Sequence, residues 1–287
     1  MNILILGATG LIGSSLYAHL GLKHNVFGTY VDKKKIKKIK KIKYLKDNMF
    51  YFDALNKIKL AGLIDKAKPK IVINCIGVTK HIKGLSKKKI LAINSIFPHY
   101  AKKITNYKSA KFIQISTDCV FNGKKGNYKE YSKPNAVDLY GISKARGEIN
   151  DKTNLTIRTS TFGHELFTNY GLLNWFLGQN LICNGYSKAI FNGFPTFYFA
   201  KILEKIILKN ITGILHISGN KIDKYTLLKK INKIYKKNII IKKNVSVKID
   251  RSLNNKLLKS YLSIKKNNWN NLIKNMKNEF RKKTFKI

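Results

Sequence analysis

Three side chains in two stretches of the sequence have the makings of carbonyl chemistry. Tyr140 and Lys144 stand four apart in DLYGISKARGE, so a helix there would put both on one face, one turn apart. An ammonium beside a phenol favours the phenolate and lowers its pKa from about 10. That makes a tyrosine a usable general acid or base near neutral pH. Thr117, in QISTDCVFNG, sits just past an apolar run that reads as a buried strand. Its hydroxyl would hold a carbonyl oxygen and orient it toward the phenol. The trio suits a carbonyl that gains or loses a hydride.

Such side chains need a scaffold that delivers them to one edge. Asn2 to Leu6 (NILIL) reads as a strand buried on both faces, followed by GATGLIG and a helix over SSLYAHLGLKH. Gly7, Gly10 and Gly13 permit a tight turn and let backbone N–H groups approach a pyrophosphate at the helix N-terminus. The candidate cofactor cradle is therefore Gly7, Thr9, Gly10, Leu11, Ile12 and Gly13. A second strand, Asn25 to Tyr30, ends where an adenosine ribose would be read. Asp32 there would favour NAD, whereas Lys33, Lys34 and Lys35 would bind a 2′-phosphate and favour NADP. Asp32 stands one position late, which tilts the choice toward NADP, with NAD as the alternative.

Met49 to Phe52 reads as a third strand. Asp53, next to Ala54, either accepts a hydrogen bond from the adenine amino group or closes a strand-end turn. Ile71 to Asn74 is a fourth strand, running into Cys75, Ile76 and Gly77, where a glycine lets the chain pass close to a cofactor or simply turns a loop. Lys87 to Lys103 reads as a helix carrying Asn94. A fifth strand, Lys111 to Ile115, delivers Ser116, Thr117 and Asp118 to the carboxyl edge of a parallel sheet, where ligands bind in such folds. The loop Asn122 to Asp138 returns the chain to Tyr140, and Leu155 to Arg158 is a sixth strand. Strands alternating with helices predict an α/β fold, a doubly wound parallel sheet of the Rossmann kind.

Past Thr161 the pattern changes. Helices are expected over Gly171 to Leu177 and Phe197 to Leu208, with a late strand at Ile214 to Ser218. The predicted division is a dinucleotide-binding domain over 1–163, which the strand near 213–219 rejoins, and a smaller C-terminal α/β substrate lobe over 164–287.

The net charge of +43 would ordinarily suggest a nucleic-acid or membrane partner. Only four of the 57 basic residues are arginines, the side chain suited to bidentate phosphate and base recognition. The lysines crowd segments such as Lys33 to Lys43 with no aromatic residues between them. They read as solvated surface that helps attract an anionic substrate, and no nucleic-acid partner is expected. Cys75, Cys119 and Cys183 are an odd number at wide spacing, which fits a reducing cytoplasm and no metal site. The N-terminus lacks the basic region of a signal peptide, and no apolar run is long enough to span a bilayer.

With these residues in view, the chain resembles the extended short-chain dehydrogenase/reductases, and among them the dTDP-4-dehydrorhamnose reductase family. The resemblance is carried by GATGLIG, STDCVFNG, YGISK, RTS at 158–160, FPT at 194–196, GILHISG at 213–219 and DRSLNN at 250–255. It implies hydride transfer between a nicotinamide and the C4 ketone of a nucleotide-linked 6-deoxy sugar, in surface-polysaccharide synthesis. Carried over, Tyr140 is the proton donor, Lys144 lowers the phenol pKa and holds the nicotinamide ribose, and Thr117 binds the ketone oxygen. Asp118 joins the substrate contacts. The family usually has an aromatic residue where Cys119 stands, and Asp118-Cys119 lacks the acidic pair of the 4,6-dehydratases. Arg251 would pair with the substrate diphosphate or form a surface salt bridge. His164 and Trp175 would touch sugar or base, or serve as core or hinge. An epimerase that retains its cofactor and a non-catalytic NADP-binding subunit are the alternatives, and a homodimer is left open.

Overall fold

The computed structural model describes residues 1–32, 48–80, 82, 84–264 and 268–284. The lysines at 33–35 that tilt the cofactor choice lie outside the described residues.

Seven strands form the central sheet: β1 (Asn2–Leu6), β2 (Asn25–Tyr30), β3 (Met49–Tyr51), β4 (Ile71–Asn74), β5 (Lys111–Thr117), β6 (Leu155–Thr159) and β7 (Gly213–Ile217). Their order is β7-β6-β5-β4-β1-β2-β3, and every neighbouring pair is parallel. This is a doubly wound sheet whose strand order reverses between β1 and β4, and ligands bind in the crevice at such a point.

The strands are apolar because both faces are covered. Ile3 and Ile5 of β1 face one core cluster, with Ile73, Ile113 and Ile157. Leu4 and Leu6 face the other, with Val72 and Phe112. The first cluster is closed by α1 (Leu11–Leu20) and, from the far end of the chain, Phe199, Leu203 and Ile206. The second is closed by α2 (Leu60–Ala67) and by Phe97 and Ala101.

The long helix expected after β4 is α3 (Lys87–Leu91) and α4 (Phe97–Tyr107) joined by a π-helical turn, Ala92–Ile96. The fifth strand runs two residues further than its apolar run suggests. Ser116 and Thr117 are held in register with Arg158 and Thr159 of β6, so pairing rather than hydropathy sets the end. After β5 the chain makes a short 3₁₀ turn, Asp118–Val120, and loops round to α5 (Leu139–Arg146).

The remaining elements are α6 (Leu172–Leu177), α7 (Thr196–Ile207), α8 (Lys224–Tyr235), α9 (Lys256–Tyr261) and α10 (Trp269–Thr284). Short strands accompany them, such as Ile182–Tyr186 paired in parallel with Ile240–Asn244. Helix α7 packs against α1, where His19 meets Glu204 at 2.8 Å. Among the described residues no helix is long and apolar enough to cross a membrane.

Candidate active site

The turn between β1 and α1 is shaped by absent side chains. Gly7 has φ +80°, the left-handed region that favours glycine. A Cβ on Gly13 would run into the Gly7 carbonyl, and one on Gly7 would press on the backbone of Cys75 and Ile76. Gly10 caps α1 without a side-chain hydrogen bond, and the first turn holds no acidic residue. The amides of Leu11, Ile12 and Gly13 therefore have no intrahelical acceptor and face outward at a helix N-terminus. That is a cradle for a diphosphate.

At the end of β3, Asp53 accepts from the Leu55 amide at 2.9 Å, a turn-closing role for one oxygen, with Ala54 buried beside it. Cys75 and Gly77 follow β4. A Cβ on Gly77 would lie 3.7 Å from the Lys144 ammonium, so the loop after β4 and the helix that bears Tyr140 and Lys144 meet here.

Helix α5 is set in place at both ends. Asp138 caps it, accepting from the Gly141 amide at 2.7 Å. Gly141 lies so close to the turn after β5 that a Cβ would run into the Cys119 carbonyl. Across this contact the Thr117 hydroxyl is close enough to the Tyr140 phenol to act on its proton. The Thr117 hydroxyl also donates to Asp118 at 3.1 Å and accepts from the Cys119 amide at 3.1 Å. One turn on, the Lys144 ammonium donates to the Ile115 carbonyl at 2.7 Å. The three residues singled out by type and spacing are thus together.

Their electrostatics depart from expectation. Burial pushes the Tyr140 phenol above 10.0, Cys119, Asp118 and Asp138 add to the rise, and only the Thr117 hydroxyl opposes it. Lys144 is turned to the Ile115 carbonyl, and burial lowers it to about 8 against the opposing influence of Glu148 and Cys75. The expected lowering of the phenol by Lys144 is therefore absent from this arrangement. Tyr140 holds its proton at neutral pH and is equipped to donate it.

Arg251 reaches the same turn from the far end of the chain. Its Nε donates to the Phe121 carbonyl at 2.8 Å, Nη1 approaches Cys119 Sγ at 3.7 Å, and Nη2 lies 3.8 Å from Asp138. Burial raises the Asp118 carboxyl, while Arg251 and Lys224 pull it down. Lys224 in turn feels Lys80 and Arg251. Lys80 and Lys224 make this side of the site cationic. Neither stood out from the sequence, where they are two among many lysines.

Asn94, noted in the sequence on the helix after β4 but given no role there, also contributes. Buried in the π-helical turn, its side-chain oxygen accepts from the Val78 amide at 2.8 Å. Its amide nitrogen donates to the Val78 carbonyl and to Ser143 Oγ, at 2.9 and 3.0 Å. It clamps the loop after β4 to α5. Its signal in the sequence is a pair of polar residues, Asn94 and Ser95, set between Ile93 and Ile96.

His164 and Trp175 have other surroundings. His164 bonds the Tyr235 hydroxyl at 2.8 Å and stacks on Phe280 with centroids 3.7 Å apart, and burial lowers it to about 4. Those are packing partners on α8 and α10. Trp175 stands on α6, 38% exposed. Among the described residues neither makes a hydrogen bond or ring contact with Thr117, Tyr140 or Lys144, and no group of three metal-ligating side chains occurs.

Behind the site lies a buried ionic network. Arg158, 1% exposed, donates from Nε and Nη2 to Glu148 at 2.9 and 2.7 Å, and Ser116 donates to the same carboxylate at 2.7 Å. Nη1 bonds the Glu130 carbonyl at 3.1 Å, and the guanidinium lies 5.1 Å from the Phe121 ring centroid. His216 of β7 is fully buried, and burial together with Arg158 lowers it to about 3. Between that value and 6.5 the unfolded chain binds more protons at this site, so stability falls as pH drops through the window. Glu130, raised by burial, acts in the opposite sense in its own range. Acidification from pH 7 to 5 is expected to cost on the order of 2 kcal/mol through His216. Urea unfolding at the two pH values measures this, and His216→Asn should flatten the difference.

A parallel sheet in this strand order, opened by a glycine turn and edged by a Tyr–Lys helix, is the framework of the extended short-chain dehydrogenase/reductases. Within that class the chain belongs to the RmlD substrate binding domain family, whose model matches residues 1–170. It is 29% identical over 182 residues to dTDP-4-dehydrorhamnose reductase of Aggregatibacter actinomycetemcomitans, covering 58% of this chain and 61% of that protein. It is 28% identical over 151 residues to methionine adenosyltransferase 2 subunit beta of Danio rerio, covering 51% of this chain and 42% of the relative. The chain thus spans about half the length of these relatives. The structure of a dTDP-4-dehydrorhamnose reductase from Bacillus anthracis in complex with NADP shares the fold. Its TM-score is 0.79 and its identity 19%, over 96% of this chain and 98% of that one.

Proposed function

We propose that the protein reduces the C4 ketone of a nucleoside-diphosphate 4-keto-6-deoxy sugar, using NADPH or NADH, in the synthesis of a surface-polysaccharide sugar. The observation that carries this reading is the juxtaposition of Thr117 and Tyr140 where Gly141 packs on the Cys119 carbonyl, with Lys144 one turn away and next to Gly77. The cradle at Gly7, Gly10 and Gly13 fits a dinucleotide diphosphate, because its tight turn exists only while Gly13 carries no side chain to push on the Gly7 carbonyl. NADP is taken as the cofactor on the strength of Lys33, Lys34 and Lys35, with NAD as the alternative. A cytoplasmic setting belongs to the same proposal, and a homodimer is compatible with it.

The bound nicotinamide supplies the hydride. Thr117 holds the ketone oxygen, and Tyr140 gives that oxygen its proton as the carbon is reduced. Lys144 has two duties, a hydrogen bond to the nicotinamide ribose and a positive charge behind the phenol once the oxygen becomes anionic. Arg251, Lys80 and Lys224 offer cations for the substrate diphosphate, and Asp118 offers a carboxylate to a sugar hydroxyl.

The test mixes the protein with NADPH or NADH and a panel of nucleotide-linked 4-keto-6-deoxy sugars and follows nicotinamide absorbance. Oxidation that requires one keto sugar supports the proposal. Cofactor binding without oxidation by any sugar sinks it, and an epimerised product or a co-purifying enzyme would then identify the alternative. Gly13→Ala should weaken NADPH binding at least about tenfold, since a backbone carbonyl must move to admit the methyl. Fluorescence titration reads this directly, and unchanged affinity would remove the cradle from the proposal.

A further inference from the structure

We propose that the buried Glu148–Arg158 pair is a positioning device for the catalytic residues: it ties the strand end that bears Thr117 to the helix that bears Tyr140 and Lys144, and presents a carboxylate to Lys144. The inference rests on reading Tyr140 and Lys144 as the catalytic pair.

Glu148 follows the end of α5, four residues beyond Lys144, where the chain still bonds back on itself through Gly147 to the Lys144 carbonyl. Its carboxylate is engaged on both oxygens: Oε1 accepts from Ser116 and Arg158 Nε, and Oε2 from Arg158 Nη2. Ser116 and Arg158 are register partners on β5 and β6, so one carboxylate is fastened to two adjacent strands. Ser116 is the neighbour of Thr117. The spacing between the ketone-holding hydroxyl and the proton-donating helix is therefore set through Glu148.

The other side of Arg158 reaches the opposite end of the same helix. Its guanidinium lies against Phe121, whose carbonyl accepts from Arg251. Phe121 closes the turn containing Cys119, against whose carbonyl Gly141 is packed. Helix α5 is thus held at its first turn through the Cys119 turn and beyond its last turn through Glu148. A buried ion pair is a poor source of stability beside a well-packed apolar pair of similar volume. Its use lies in where it sits.

Lys144 feels this carboxylate. Among the described residues, the groups acting on its charge are Glu148, from beyond its own helix, and the Cys75 thiol at the end of β4. Burial lifts the thiol to about 12, so it is neutral and Glu148 is the charge that opposes desolvation of the ammonium. From β5 the contact is the uncharged Ile115 carbonyl. Glu148 itself faces Arg158 and the neutral Ser116.

The test is Glu148→Gln, with lysine carbons labelled with ¹³C and the Lys144 resonance assigned as the one lost in Lys144→Arg. The Lys144 titration midpoint should fall by about one pH unit, a tenfold change in its proton affinity. The matching limb of the pH–rate profile should move with it, kcat should drop about tenfold or more, and the substrate KM should stay within about twofold. If Glu148→Gln does not fold, the double variant Glu148→Gln/Arg158→Met removes the stranded guanidinium and should show the same downward shift. A Lys144 midpoint and a pH–rate limb that both stay at their original values, with activity lowered only in proportion to folded protein, would overturn the proposal. If the unmodified protein turns over no keto sugar, the reductase reading fails, while the Lys144 titration still decides the role of Glu148.

Discussion

Tyr140→Phe is expected to lower kcat by about 10²- to 10⁴-fold, the contribution of a positioned proton donor, with NADPH affinity changed little. The reasoning is geometric. Removal of the hydroxyl takes away one oxygen and leaves the ring in the space between α5 and the turn after β5, where Gly141 and Asp138 hold the helix independently of the phenol. Thr117 keeps its bonds to Asp118 and the Cys119 amide, so the strand edge stays formed. The comparison is nicotinamide oxidation against fluorescence titration of NADPH on the same preparation. Loss of turnover with binding intact is the expected outcome. Residual activity above a tenth of the original would show that another group delivers the proton. A phenol held above 10.0 makes this a direct test of donation, because the proton is present throughout the neutral range.

The second large effect is on stability. Arg158→Met should destabilise the protein by about 3–5 kcal/mol, the usual cost of leaving one member of a buried pair uncompensated. In a chain of this size that is a drop of about 10 °C in Tm. Glu148 would then be a carboxylate with 6% of its side-chain surface exposed, left with Ser116 as its remaining described hydrogen-bond donor. Thermal unfolding measures the loss. The double variant Glu148→Gln/Arg158→Met should recover much of it, because no buried charge is stranded. A Tm within about 2 °C of the original for Arg158→Met would mean that water reaches Glu148 freely.

Much of this site is legible in the sequence because its signals are local. The glycines of GATGLIG act on a single turn, and Tyr140 and Lys144 lie one helical turn apart, so spacing alone brings them together. The sheet is equally plain, since strands covered on both faces must be continuously apolar, as NILIL and IVIN are. What was not legible depends on contacts between distant positions. Thr117 belongs to its strand because of Thr159, 42 residues later. Lys144 bonds Ile115 rather than acting on the phenol, and no spacing rule reveals which carbonyl a buried ammonium will find. Lys224 becomes distinctive only when folding brings it to Asp118, and Lys80 only when it comes near Lys224 and Cys119. His164 admitted both a ligand and a packing role, and its ring is occupied by Tyr235 and Phe280.

The last strand of the sheet carries a consequence for how the chain is made. Strand β6 pairs with β5 on one side, but its other edge is met by β7, which begins more than fifty residues downstream. During synthesis at about 5–20 residues per second, β6 must wait several seconds with an open edge. An open edge invites pairing with a neighbouring chain. Arg158, the fourth of that strand's five residues, is an awkward charged partner for a foreign apolar strand until His216 arrives beside it. The buried charge behind α5 thus lies on an edge that is open while the chain is being made, and a protein cut after residue 163 would keep that edge open permanently.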